Sequence, residues 1–203
     1  MFTTENKTKG FTLLEMLIAL AIFTIAVFIA VSTLFSITNV QKKIIAKQSA
    51  EDNLRFAFES MAKEIRTGKI FHCGTSGTLT SPQNCPFPSG GNSFTFKNSP
   101  AGQTVTYQVW TDPISGAKQL VKSSDGNLPC TNSSYINCQK LTSPDFVIVN
   151  KVNFYVSGAT ANDGAQSLAT IVLDGQVLDP KNIGTAKLVL QTTISKRGLL
   201  DQP

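Results

Sequence analysis

Lys9-Gly10-Phe11-Thr12-Leu13-Leu14-Glu15-Met16 is the stretch on which the reading of this chain turns. A short basic segment ends in glycine, a phenylalanine follows, and a lone glutamate stands at the mouth of an apolar run that meets no further charge until Lys42. From Met16 to Val31 only Thr24 interrupts the run. A bilayer core is spanned by about 20 predominantly apolar residues in a helix. Ser32, Thr33 and Ser36 are tolerated because their hydroxyls can bond the backbone, so the segment is long enough to cross. The first proline is Pro82, and nothing before it forces a kink. A carboxylate at the centre of a spanning helix costs about 2.5–3.5 kcal/mol, less near the interface, so Glu15 asks for a cationic partner.

Two plainer readings compete. A secretory signal has an apolar region of about 7–15 residues followed by a small-residue cleavage site. Here Ala19-Leu20-Ala21 fits such a site, yet it lies inside the run, and Glu15 sits where the apolar region should open. A plain signal anchor explains the length but neither Gly10 nor Glu15. Basic residues flank the span on both sides, with Lys7 and Lys9 before it and Lys42, Lys43 and Lys47 after it, so their count does not orient it. The cysteines do: Cys73, Cys85, Cys130 and Cys138 all follow the span and want the oxidising side, which leaves the N-terminus in the cytoplasm.

With 203 residues, the chain has room for one long helix and one modest globular domain. Its formal charge of +5 is mild and demands neither nucleic acid nor anionic lipid. Four cysteines allow three disulfide connectivities. Cys73–Cys85 and Cys130–Cys138 are favoured because each closes a short loop rich in Gly, Pro, Ser and Asn, which contributes about 2.5–3 kcal/mol on the loop-entropy account. Zinc is the rival, helped by His72 beside Cys73. The absence of any C-x-x-C and the single histidine argue against it.

Past the span the apolar pattern narrows to one face. Ile37, Val40, Ile44, Leu54, Phe58, Met61 and Ile65 recur at helical spacing apart from a polar gap from Lys47 to Glu51, which predicts one helix from about residue 11 to about Arg66, stopped near Thr67-Gly68. Residues 72–93 read as a disulfide-tied loop and Ser123–Asp145 as a second irregular stretch. Alternation predicts strands over Ser93–Lys97, Gln103–Trp110, Lys118–Lys122, Phe146–Val156, Leu168–Asp174 and Ala186–Ser195. Strands succeeding one another without helices imply an antiparallel sheet.

Lys-Gly-Phe-Thr-Leu-Leu-Glu ahead of an apolar helix resembles the N-terminus of type IV prepilins and type II secretion pseudopilins over residues 7 to about 35. The resemblance implies a leader (1–10), a transmembrane and filament-core helix (11–35), an amphipathic helix (36–68) and a β-sheet globular domain (69–203). The expected fold is α+β and pilin-like: a long N-terminal hydrophobic helix packed on an antiparallel β-sheet with disulfide-tied loops. It further implies that a prepilin peptidase cuts between Gly10 and Phe11, that Phe11 is then N-methylated, and that Glu15 pairs with the Phe11 amine of a neighbouring subunit and sets their register. Glu15 could alternatively be held by its own helix N-terminus. The partners expected are that peptidase, other pilins or pseudopilins, an inner-membrane assembly platform, and membrane lipid before assembly. Arg55-Phe56 through Ala62-Lys63-Glu64-Ile65-Arg66, with Leu188-Val189-Leu190-Gln191-Thr192-Thr193-Ile194-Ser195 and Arg197, is similar to J-type minor pseudopilins and W-type minor pilins. Where many major pilins carry a helix-breaking proline, this chain has Ser32, which suits a minor subunit.

No catalytic motif is legible: G-x-S-x-G, H-E-x-x-H, a P-loop and a Rossmann glycine pattern are all missing from the sequence. No enzyme activity, cofactor or metal is expected. Asp125-Gly126-Asn127 and Asn162-Asp163-Gly164 read as turns rather than calcium loops. Trp110 and Phe87 are either exposed anchors or core aromatics. The expectation is a minor pilin or pseudopilin that primes or caps a filament. A major pilin, or a filament-borne adhesin or DNA receptor using Lys97, Lys118, Lys122 and Lys140, are the alternatives.

Overall fold

The computed structural model describes residues 10–74, 78–79, 81–99, 102–124, 130, 138–160, 163–178 and 186–197. A 55-residue helix, α1 (Leu13–Thr67), is followed by eight strands: β1 (Lys69–Cys73), β2 (Ser93–Lys97), β3 (Thr104–Thr111), β4 (Lys118–Ser123), β5 (Cys138–Lys140), β6 (Val147–Ser157), β7 (Leu168–Val177) and β8 (Ala186–Ser195). The chain divides into two compact units, Met1–Ile44 and Ile45–Pro203.

In the first unit every described residue is exposed. Its most apolar 18-residue window has a mean hydropathy of 2.7, with no part of it buried. Four hydroxyls in this unit turn inward. Thr24 donates to the Ala21 carbonyl, Ser32 and Thr33 to that of Ile29, and Thr38 to that of Phe35, at 2.8–2.9 Å. Such back-bonding satisfies these four donors on an apolar surface.

The second unit is an α+β body in which antiparallel strands form two sheets rather than the single one expected. One sheet has the order β1-β2-β3-β4-β5 and the other β6-β7-β8. From Ile45 onward α1 buries Ala50, Leu54, Ala57, Met61 and Ile65, a stripe stepping by three and four. Phe58 is half-buried against this core. Ile37, Val40 and Ile44, expected on the same stripe, are exposed. The buried stripe starts instead at Ala50, inside the gap that had read as polar. Phe71, Phe94, Phe96 and Phe154 form an aromatic cluster, with Phe71 edge-on to Phe94 at 5.3 Å and Phe94 stacked on Phe154 at 6.0 Å.

The register places Phe94 opposite Tyr107 and Tyr107 opposite Lys122, so these side chains share one face of the larger sheet. Glu64 of α1 meets that face: its carboxylate accepts from the Tyr107 hydroxyl at 2.7 Å and from the Lys122 ammonium. Burial, then the hydrogen bond and charge of Glu64, raise the Tyr107 pKa, so the phenol stays a donor. At the helix end, the Arg197 amide donates to the Arg66 carbonyl at 2.7 Å. Gly68 follows the last residue of α1, and a side chain there would collide with the Phe96 ring.

Two strands depart from the sequence reading. Residues 72 and 73 belong to β1, not to a loop. Ile70 takes a left-handed φ of 56° and the pairing of β1 with β2 shifts between Lys69 and His72, which erases the alternation. His72 is correspondingly not a loop residue: it is 1% exposed, and its Nδ1 donates to the Ser81 carbonyl at 2.8 Å. The short β5 lies within the stretch expected to be irregular.

Candidate processing and assembly site

Thr12 defines the start of α1. Its Oγ1 accepts from the Glu15 amide at 3.3 Å, and its carbonyl accepts from the Met16 amide at 3.2 Å, which makes it the N-cap. Thr12-Leu13-Leu14-Glu15 is therefore a capping-box sequence with the acid at the third helical position. The sequence reading passed over this T-x-x-E signal. Its consequence is that Gly10 and Phe11 lie outside the helix, with their backbone free of its hydrogen-bond ladder. A Cβ at Gly10 would meet nothing within 4 Å, and Phe11 is 77% exposed. The Gly10–Phe11 bond is thus accessible. Glu15 is exposed in the first turn, where the helix dipole favours an anion.

Residues 6–31 match the family model described as the prokaryotic N-terminal methylation motif. That match contains Gly10, Phe11, Glu15 and most of the apolar part of α1. It supports a type IV pilin-like precursor whose N-terminal helix fits membrane anchoring followed by filament packing. Such a motif implies processing by a peptidase and assembly with other pilins. No curated protein and no solved structure matches the chain.

The cysteines are joined as Cys73–Cys85 and Cys130–Cys138, with Cα atoms 5.5 and 5.9 Å apart. The first bridge ties the end of β1 to a segment that pairs with β6. There Cys85 exchanges backbone hydrogen bonds with Val156, and Gly91 with Phe154, at 2.7–3.1 Å. One disulfide thereby fastens the larger sheet to the smaller. Gly91 is needed for this closure, since a Cβ would sit 2.6 Å from the Cys73 sulfur. The second bridge brings the Cys130 carbonyl to the Gln108 side-chain amide, which donates to it at 3.1 Å.

The four lysines considered for anion binding do not share one face. Lys122 is engaged by Glu64. Lys140, opposite Val121 on the other side of the sheet, lies 5.8 Å over the Trp110 ring. Trp110 is buried at 5% exposure, whereas Phe87 is 81% exposed and leans on Tyr155 at 5.6 Å. Asp163 caps a turn by accepting from the Ala165 amide at 2.9 Å. Asp125-Gly126-Asn127 and Asn162 lie outside the described residues.

Proposed function

We propose that the chain is a minor pilin or pseudopilin whose leader, residues 1–10, is removed by a prepilin peptidase, after which Phe11 is N-methylated and the subunit primes or caps a filament. The observation that carries this reading is the coincidence of the methylation motif over residues 6–31 with an accessible Gly10–Phe11 bond just ahead of a capped apolar helix. The globular unit, Ile45–Pro203, then lies outside the cytoplasm, where its two disulfides are stable.

Assembly is the mechanism. The apolar flank of α1 passes from lipid to the flanks of neighbouring helices. It is already desolvated in lipid, so close packing rather than the hydrophobic effect drives the exchange. Glu15 pairs with the Phe11 amine of an adjacent subunit and fixes axial register more than it adds net stability. The J-type or W-type placement rests on the two segments named above, which meet where Arg197 bonds Arg66. The protein acts as a structural subunit rather than an enzyme.

The test is the intact mass of the protein coexpressed with a prepilin peptidase. A species lacking ten residues and carrying one added methyl group supports the reading. A full-length, unmethylated protein counts against it. Copy number in purified filaments then separates a priming subunit from a major one.

A further inference from the structure

A cavity of about 290 Å³ lies where β6 meets β3 and β4, lined by Asn92, Val109, Lys118, Asn150, Lys151 and Val152. The charged members of its lining are Lys118 and Lys151. Both lysines are exposed and neither forms an ion pair among the described residues. The nearest carboxylate in the register, Asp174 opposite Lys151, is engaged elsewhere: Oδ2 by Lys187 at 3.3 Å and Oδ1 by the Asn150 amide at 3.4 Å. The backbone is shaped at this point. The pairing of β6 with β7 skips Asn150 between Val149 and Lys151, and such a bulge re-aims side chains.

We propose that this cavity binds the acidic sugar unit of an anionic polysaccharide. The two ammonium groups face its carboxylate, the half-buried Val109 lies under the apolar face of the ring, and the Asn92 amide and the Asn150 side-chain oxygen meet its hydroxyls. The size suits one sugar ring, at the small end of ligand pockets. The lining holds no aromatic on which a base could stack, and two lysines are too few to track a phosphate backbone. A sugar is therefore favoured over a nucleic acid. The site lies wholly within Ile45–Pro203, and the proposal does not rest on filament assembly.

The experiment is calorimetric titration of the full chain in detergent micelles with trigalacturonic acid, maltotriose, inorganic phosphate and a short DNA duplex. The expected result is binding of trigalacturonic acid that weakens with salt and falls about tenfold or more in the Lys118→Gln/Lys151→Gln double variant, with no binding of maltotriose. Unchanged Trp110 fluorescence in the variant checks its fold. Absence of trigalacturonate binding, equal binding of maltotriose, or indifference to the double substitution would overturn the proposal. So would phosphate or DNA binding at least as tightly through the same lysines, which would mark a general anion site or a nucleic-acid site.

Discussion

The two stretches of α1 on either side of Ile44 have the same backbone and opposite relations to their surroundings. Up to Ile44 none of the described residues is buried, although nearly every side chain from Met16 to Val31 is apolar. From Ile45 onward the helix is far more polar, yet Ala50, Leu54, Ala57, Met61 and Ile65 are all buried. Hydrophobicity alone therefore does not decide what a residue is for. Periodicity does: a one-sided stripe is satisfied within its own chain, while an all-round apolar surface needs an outside solvent, either lipid or other helices.

The contrast can be broken at several points. The largest effect is expected at Gly10→Leu, which places a bulky side chain at the proposed scissile bond and should abolish cleavage. Full-length protein in membrane fractions is the readout, and a normally processed mass would refute the site. Next comes Phe94→Ala, which removes a fully buried ring from the aromatic cluster and should cost about 3–5 kcal/mol. Trp110, the single tryptophan, reports unfolding by denaturant. Leu20→Ala, equally apolar but exposed, should leave that transition where it was; a comparable loss from Leu20→Ala would erase the distinction between the two stretches.

Replacing Cys73 and Cys85 together with serine is expected to cost about 2–4 kcal/mol, seen as an earlier midpoint in the same assay. Glu15→Ala should leave cleavage intact and lower the amount of protein in sheared filaments several-fold, measured by immunoblot. Undiminished incorporation would reduce Glu15 to an acid in the first turn, favoured there by the helix dipole. The smallest effect is expected at Phe56→Ser, on the exposed side of the helix, with stability within about 0.5 kcal/mol of the parent.

Much of this was legible in advance because local signals were strong. The expected limits of Ser93–Lys97 and Ala186–Ser195 match the observed ones, since alternation between turn signals marks a strand. Both disulfides followed from loop length. The failures have physical causes. β1 was hidden by a β-branched residue, Ile70, in a conformation such residues rarely adopt. The buried stripe was misplaced because Ala50 is too small to register as a core residue, while the larger Ile37, Val40 and Ile44 drew attention. Lys122 read as a surface cation because its partner, Glu64, is 58 positions away. The split into two sheets could not be read from alternation, which reports only on strands taken singly. In the N-terminal site Glu15 stands out as a lone charge, whereas Thr12, three residues earlier, shows its capping role only in the bond to the Glu15 amide.

The hydroxyls of Thr24, Ser32, Thr33 and Thr38 have a last consequence. Each of these four brings its own acceptor along, so the helix can change neighbours without any of them losing its mate. Sliding from an oily sheet into a bundle then becomes a question of fit between surfaces. In the assembly proposed above, the steps that can be gated are the cut that exposes a new amine and the docking of one carboxylate.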